Sequence, residues 1–259
     1  MNKIEVQKVP VSHGWLWIQR GYRLIMRGPL QAISLAMVFV LGIFLAMIIP
    51  AIGIFLAILI MPVLMAGYMR VCRALEYSEK VVQRFMIAGF ENRTTQLASL
   101  GGMLLIGMIL ISMATAAMGG AALTTILESF RANPDTTVLI NALLAPEAGL
   151  RLMLLMSFTL FFVLMMAMQF APMLVFFNQM SPRDALLVSL KASVRNIVPF
   201  SVYSLIIQLI AFVASAIPFD LGLFILLPIM LTSMYVAYRD IFSEVKIETT
   251  DAVEPAIAE

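Results

Sequence analysis

Few residues in this chain of 259 have side chains that could carry chemistry. The sequence has one cysteine, Cys72, and one histidine, His13, so it can form no disulfide within the chain and no cluster of Cys and His metal ligands. It contains no glycine-rich phosphate loop and no nucleophile elbow. We therefore predict no catalytic residues, no metal site and no cofactor, and we expect that the protein is not an enzyme.

Polar side chains within the long apolar runs are uncharged. An ionisable residue at depth in a membrane is costly and usually functional, and the interiors of the apolar runs hold none. The embedded polar residues include Gln169 and Gln208. Hydrogen bonding between helices, worth about 0.6 kcal/mol each, is their ordinary role. The alternative is a polar seam that accommodates a lipid headgroup or a small solute.

Basic residues are concentrated in the polar segments between the apolar runs, where they could contact anionic lipids at about 1 kcal/mol per charge. The candidate contacts are Arg20, Arg23, Arg27, Lys80, Arg84, Lys191 and Arg195. A simpler interpretation is that these residues only set the topology of the chain in the membrane.

The composition indicates that this chain lies in a lipid bilayer. Hydrophobic residues make up 62% and charged residues 12%, with a mean hydropathy of +0.99. Soluble domains carry about 25% charged residues, so a soluble globule is excluded and the lipid bilayer is the first partner. The net charge of +2 is too small to indicate binding of nucleic acid, and we predict no nucleic-acid partner.

The apolar runs predict an all-α membrane protein without a β-sheet. Each of six runs has at least 18 residues, or about 27 Å of helix, close to the thickness of a hydrocarbon core. We predict a cytoplasmic N-terminus (1–29), a transmembrane domain (30–242) and a disordered acidic tail (243–259). The predicted spans cover 30–49, 51–69, 97–118, 150–177, 197–217 and 221–238.

The distribution of basic residues predicts the orientation. Segments 1–29, 70–96, 178–196 and 239–259 hold 15 of the 17 lysines and arginines. Because positive charge remains on the cytoplasmic side, both termini are predicted to be cytoplasmic and the protein to lie in a bacterial inner membrane.

A repeated pattern suggests three copies of one unit. Each of three prolines, Pro62, Pro172 and Pro228, is followed 11 residues later by an arginine: Arg73, Arg183 and Arg239. Each unit would comprise a cytoplasmic interfacial helix, a span outward and a span back that is kinked at its proline. The interfacial helices are predicted over His13–Arg27, over Ser78–Glu91 and from an N-cap at Ser181. The alternative is three ordinary hairpins whose prolines coincide.

Three stretches carry a resemblance to known proteins: HGWLWIQRGYRLIMRGPL, MPVLMAGYMRVCRALE with the later MIAGF, and YVAYRDIF. They resemble a family of uncharacterised proteobacterial six-span inner-membrane proteins. More loosely, the chain is similar to the membrane domain attached to glycerophosphodiester phosphodiesterase-type proteins. The resemblance implies a Gram-negative inner membrane and carries over no catalytic residue.

Two functions are compatible with this reading. The first is a structural, assembly or regulatory membrane protein that organises lipids or a protein partner. The alternative is a transporter or lipid-translocating protein with a path between proline-kinked helices, whose freed backbone carbonyls could serve a cavity.

Overall fold

The fold is a bundle of helices. A computed structural model describes residues 5–132, 148–216 and 221–243. In a bilayer the chain must satisfy its own backbone hydrogen bonds, and apolar runs therefore become helices. The helices are α1 (His13–Met26), α2 (Pro29–Met47), α3 (Gly53–Glu76), α4 (Ala88–Glu91), α5 (Thr94–Ala132), α6 (Ala148–Met168), α7 (Ala171–Phe177), α8 (Pro182–Arg195), α9 (Ile197–Ala214) and α10 (Leu221–Ile241). A 3-10 helix spans Gln83–Ile87.

Helices α2 and α3 pack against each other across a short turn that contains Pro50. Pro29 begins α2 because its fixed φ suits a first helical position, where no N–H partner is needed. The Tyr68 hydroxyl, wholly buried, donates to the Ala32 carbonyl at 3.1 Å. Pro62 lies inside α3, which continues through it without a break.

The predicted helix over Ser78–Glu91 is wrong in its first part. Residues 78–82 are not helical, and the 3-10 helix and α4 follow them. This segment lies against α3 with its backbone in near contact: a Cβ on Gly67 would lie 2.1 Å from the Met86 carbonyl oxygen. A Cβ on Gly89 would lie 2.2 Å from the Val63 carbonyl oxygen. Any side chain at either glycine would push the two segments apart.

The second pair of long helices extends beyond the predicted bounds. Helix α5 is 39 residues long, starts at Thr94 and packs against α6. The hydroxyl oxygens of Thr115 and Ser157 lie 2.5 Å apart across this contact. The connection between the two helices, residues 133–147, lies outside the described residues.

The predicted span over 150–177 is divided into α6 and α7 at Gln169–Phe170. Pro172 occupies the first turn of α7, so it starts a helix and does not kink a continuous one. The Ser189 hydroxyl accepts from the Phe170 N–H and donates to the Met166 carbonyl, both at 3.0 Å. In an unbroken helix these two backbone groups would bond to each other. The break is therefore a hydroxyl inserted into the backbone ladder two residues before a proline.

The three prolines consequently differ in local structure. Pro228 lies inside α10, as Pro62 lies inside α3, and Arg239 and Arg73 occupy the last turns of those helices. Arg183 instead lies in α8, after α7 has ended at Phe177. The proline and the arginine of the pattern therefore lie in one helix in the first and third units, and in two separate helices in the second.

Helix α1 begins at His13, as predicted, and ends at Met26, one residue before the predicted end. It packs against α9 and α10, and Trp17 is completely buried. A Cβ on Gly14 would lie 2.5 Å from the Pro199 carbonyl oxygen, and one on Gly21 would lie 2.7 Å from the Ser233 nitrogen. These two glycines allow the close approach of α1 to α9 and α10.

A two-residue antiparallel ladder joins the two ends of the described chain. Strands β1 (Glu5–Val6) and β2 (Phe242–Ser243) pair Glu5 with Ser243 and Val6 with Phe242. This pairing of two short strands is the β structure found among the described residues. The other elements are helices, as predicted. Apart from Ser243, the predicted acidic tail over 243–259 lies outside the described residues.

The predicted start of α8 is confirmed. Ser181 is the N-cap, and its hydroxyl oxygen accepts from the Asp184 N–H at 3.2 Å, with Pro182 in the first turn. From this start, α8 places Ser189 and Ser193 against the break between α6 and α7, where both hydroxyls donate to the Met166 carbonyl.

The substitution Ser189→Ala tests the inserted hydroxyl. It leaves the buried Phe170 N–H without that partner, and we expect a loss of about 1–3 kcal/mol of stability. Ser193→Ala is the matched control, because the Met166 carbonyl then keeps Ser189 as a donor. Thermal unfolding in detergent measures both, and equal losses from the two variants would contradict the inserted-hydroxyl explanation.

Candidate functional site

A polar cleft of about 430 Å³ opens where α1, α3 and α10 meet at one end of the bundle. We call it the arginine cleft. Its lining comprises Arg20, Arg23, Leu24, Arg27, Glu76, Tyr235, Val236, Arg239 and Asp240.

Helix α1 and its C-cap residue supply three of the four arginines. Arg20, Arg23 and Arg27 are spaced i, i+3 and i+7, which places them on one helix face. Beyond the C-terminal end of α1, an Arg27 Nη1 donates to the Glu76 carbonyl at 2.7 Å and to the Leu75 carbonyl at 3.4 Å. Arg27 thereby satisfies carbonyls at the last turn of α3 and places a positive charge at the negative end of its dipole.

Asp240 is held by groups of α1. Its Oδ2 accepts from the Trp17 Nε1–H at 2.8 Å and lies 2.6 Å from His13 Nδ1. An Arg20 Nη1 lies 3.9 Å from Oδ1. The carboxylate side chain is 16% exposed, and its contacts with Trp17 and His13 fix it at the rim of the cleft.

Glu76 occupies the other side of the cleft. Its Oε2 accepts from the Tyr235 hydroxyl at 2.5 Å and lies 3.4 Å from Arg239 Nε. Arg239 Nη2 also donates to the Tyr77 hydroxyl at 3.1 Å. These contacts join the cytoplasmic ends predicted for α3 and α10.

The charges of the cleft do not cancel. Four guanidinium groups face two carboxylates, which leaves two excess positive charges. Asp240 and Glu76 are already engaged by hydrogen-bond donors. Among the described residues, Arg23 makes no hydrogen bond or ion pair, and its side chain is exposed. A cleft of this kind attracts anions.

The other predicted lipid contacts lie apart from the cleft lining. Lys80 and Lys191 are exposed, and Arg84 Nε donates to Glu91 Oε1 at 2.7 Å on the surface. An Arg195 Nη1 donates to the Val6 carbonyl at 2.8 Å and so holds the N-terminal strand. The structure therefore brings three of the seven predicted contacts together.

Sequence reasoning missed the acidic and aromatic members of the cleft. The residues predicted to contact lipid did not include Glu76, Tyr235, Arg239 or Asp240. Tyr235 and Arg239 are spaced i and i+4 on α10, so they share a face with one another. That spacing was a usable signal for one side of the cleft, but it could not indicate that α1 and α3 complete the site.

The two glutamines of the predicted polar seam occupy different environments. Gln169 is half-buried at the break before α7, and its Oε1 accepts from the Ser193 hydroxyl at 3.3 Å. Gln208 is exposed on α9. No hydrogen bond joins them within the described ranges. A second cavity of about 470 Å³ lies between α9 and α10, and its lining is apolar: Leu209, Ile210, Val213, Ala214, Gly222, Ile225, Leu226 and Ile229.

Five helical stretches within the described residues are long and apolar enough to cross a membrane. They are Pro29–Met47, Gly53–Glu76, Thr94–Met118, Arg151–Phe177 and Ile197–Ala214. Large apolar side chains cover the outer surfaces of these stretches, as a lipid environment requires; Phe158 and Phe212, for example, are 69% and 77% exposed. The fold is thus that of a multi-pass membrane protein.

The chain is 28% identical over 210 residues to a protein of Burkholderia thailandensis named "probable inner membrane protein". The match covers 78% of this chain and 75% of that protein. No protein-family model and no solved structure matches the chain. Together with the apolar helices, this similarity supports a multi-pass inner-membrane protein. A similarity to the membrane domain of glycerophosphodiester phosphodiesterase-type proteins is not shown by these comparisons.

The substitution Asp240→Asn tests whether Asp240 holds α1 in place. It removes the charge that Trp17 and His13 contact, and we expect a loss of about 1–3 kcal/mol of stability. Glu91→Gln is the control, since it breaks an exposed ion pair worth about 0–1 kcal/mol. In a Trp15→Phe background, fluorescence of the buried Trp17 during thermal unfolding measures the loss. Equal stability of the two variants would contradict the role assigned to Asp240.

Proposed function

We propose that this protein crosses the inner membrane six times, as three helical hairpins with cytoplasmic termini. The β1–β2 ladder supports this number, because Val6 and Phe242 can pair only if both ends lie on one side of the membrane. The chain between them must then cross an even number of times. Five stretches qualify as spans by length and composition, and α10, with 21 residues or about 31 Å, supplies the sixth.

The orientation follows from the arginine cleft. The cleft lies beside the paired ends of the chain, because Asp240, which lines it, is two residues before Phe242 of the ladder. Positive charge is retained on the cytoplasmic side of inner-membrane proteins. We therefore assign the cleft, the ladder and both termini to the cytoplasmic side.

We infer that the function is structural, assembly-related or regulatory, and that the chain has no catalytic activity of its own. The observation that carries this inference is the separation of polar groups. A group of charged side chains gathers in a cleft at one end, whereas several hydroxyls along the helices bond carbonyls of their own helix. Thr115, Thr159 and Ser201, for instance, donate to Ile111, Leu155 and Ile197 at 2.7, 2.7 and 2.8 Å.

Groups used in this way stabilise the bundle and are not available to line a path for a solute. Gln169 is engaged by Ser193 and Gln208 faces outward, so neither supports the transport alternative. What remains accessible is the charged end of the bundle. We propose that the protein organises a lipid or a protein partner there.

The six-span arrangement predicts that the two termini lie on the same side. A fluorescent protein fused after Glu259 should be fluorescent, and alkaline phosphatase at the same position should be inactive, because both ends are cytoplasmic. A tag at the N-terminus should be digested in inverted vesicles and protected in right-side-out vesicles. An N-terminal tag and a C-terminal fusion on opposite sides would require an odd number of spans and contradict the arrangement.

The proposed function predicts that the protein does not occur alone. Extraction with its surrounding membrane in a polymer nanodisc, followed by native mass spectrometry, should detect a stoichiometric protein partner or an enriched lipid class. Nanodiscs of an unrelated six-span protein from the same membranes provide the background. A chain without any protein partner, in lipids of the background composition, would contradict the proposal.

A further inference from the structure

The arginine cleft contains cations that the fold does not use. Arg27 caps carbonyls of α3 and Arg239 contacts Glu76 and Tyr77, so these two have structural partners. Arg20 has only the 3.9 Å contact to Asp240, and Arg23 has no partner among the described residues. Unused guanidinium groups beside a cavity are suited to a phosphate, whose oxygens they can bind in pairs.

An apolar surface adjoins these cations on α1. Tyr22 and Met26, spaced i and i+4, are 51% and 50% exposed although the opposite face of α1 is buried. Leu30, at the start of α2, is 77% exposed. Arg23 and Arg27 directly follow Tyr22 and Met26 in sequence, so the cationic and apolar faces share an edge. A soluble anion would have no use for that apolar surface, whereas a lipid would cover it.

We propose that the arginine cleft binds the phosphate of an anionic phospholipid, while Tyr22, Met26 and Leu30 contact its acyl chains. The two excess positive charges of the cleft favour a lipid with net negative charge over a zwitterionic one. Asp240 and Glu76 do not prevent this, because the excess of two positive charges remains after both carboxylates are counted. This inference rests on the proposed function and names the lipid class that the charged end would organise.

The test compares two double variants of the full-length protein. Arg20→Gln with Arg23→Gln removes the two unused cations of the cleft. Lys80→Gln with Arg84→Gln removes the same charge from exposed positions that do not line it. Lipid binding is titrated by native mass spectrometry in detergent, with phosphatidylglycerol, phosphatidylethanolamine and inorganic phosphate as separate probes.

We expect phosphatidylglycerol to bind more tightly than phosphatidylethanolamine. At about 1 kcal/mol per charge, the cleft double variant should bind phosphatidylglycerol roughly 30-fold more weakly, and the control less than about threefold. Arg23→Gln alone should weaken binding about fivefold, and it serves if the double variant does not fold. Inorganic phosphate should bind more weakly than the anionic lipid, because it gains nothing from the apolar surface.

Three results would overturn the proposal. Equal weakening in the cleft and control variants would mean that only total charge matters. Equal affinity for both lipids would remove the role of the headgroup charge. Inorganic phosphate binding as tightly as phosphatidylglycerol would identify a site for soluble anions. The proposed function is tested separately: an enriched lipid or a partner that remains with the cleft double variant would leave that function standing while the cleft assignment fails.

Discussion

The contact of α1 with α9 and α10 is the constraint on which the rest of the structure depends. The first helix of the described chain packs against the last two, through glycines that allow backbone approach and through Asp240, which Trp17 and His13 contact. This contact brings the N-terminal strand beside the end of α10, so that β1 and β2 can pair. It also turns the arginine-bearing face of α1 toward α3, and the arginine cleft results. Without this packing, the same arginines would be scattered charges on a surface helix.

The same mode of packing recurs along the chain. The 3-10 helix and α4 pack on α3, and α8 packs on α6 and α7, so each segment preceding a helix pair contacts an earlier pair. Helix α1 completes this order by packing on the last pair. Gly67 and Ser233 occupy the same position, five residues after Pro62 and Pro228, and both meet such a segment. The second unit differs, since Ser189 contacts the backbone before Pro172. The repeat is therefore closer between the first and third units than their sequences suggest.

The effect of a proline within these helices depends on which neighbouring hydroxyl groups bond the backbone around it. The Thr232 hydroxyl, wholly buried, donates to the Pro228 carbonyl at 2.8 Å, one turn beyond the carbonyl that the missing proline N–H leaves free. It thus does not replace the lost bond directly. At Pro172 the compensation comes from another helix, because Ser189 bonds both backbone groups of the break. Tolerance of a proline depends on which neighbour reaches the freed groups, and spacing in the sequence does not contain that information.

The sequence by itself determined that the protein lies in a lipid bilayer and which of its segments form helices there. Long apolar runs became helices, the start of α1 and the N-cap of α8 followed from local rules, and five of the predicted spans qualify by length and composition. Local rules failed where a contact decided the outcome. The helix expected from Ser78 starts at Gln83, the span containing Pro172 is broken, and Trp17 is completely buried within a helix that was predicted to be interfacial. Only the tertiary structure assembled the cleft, because its charges come from three separate helices, and the charges of α10 are more than 150 residues from those of α1 and α3. Hydrophobic periodicity specifies which face of a helix is buried but not against which other helix.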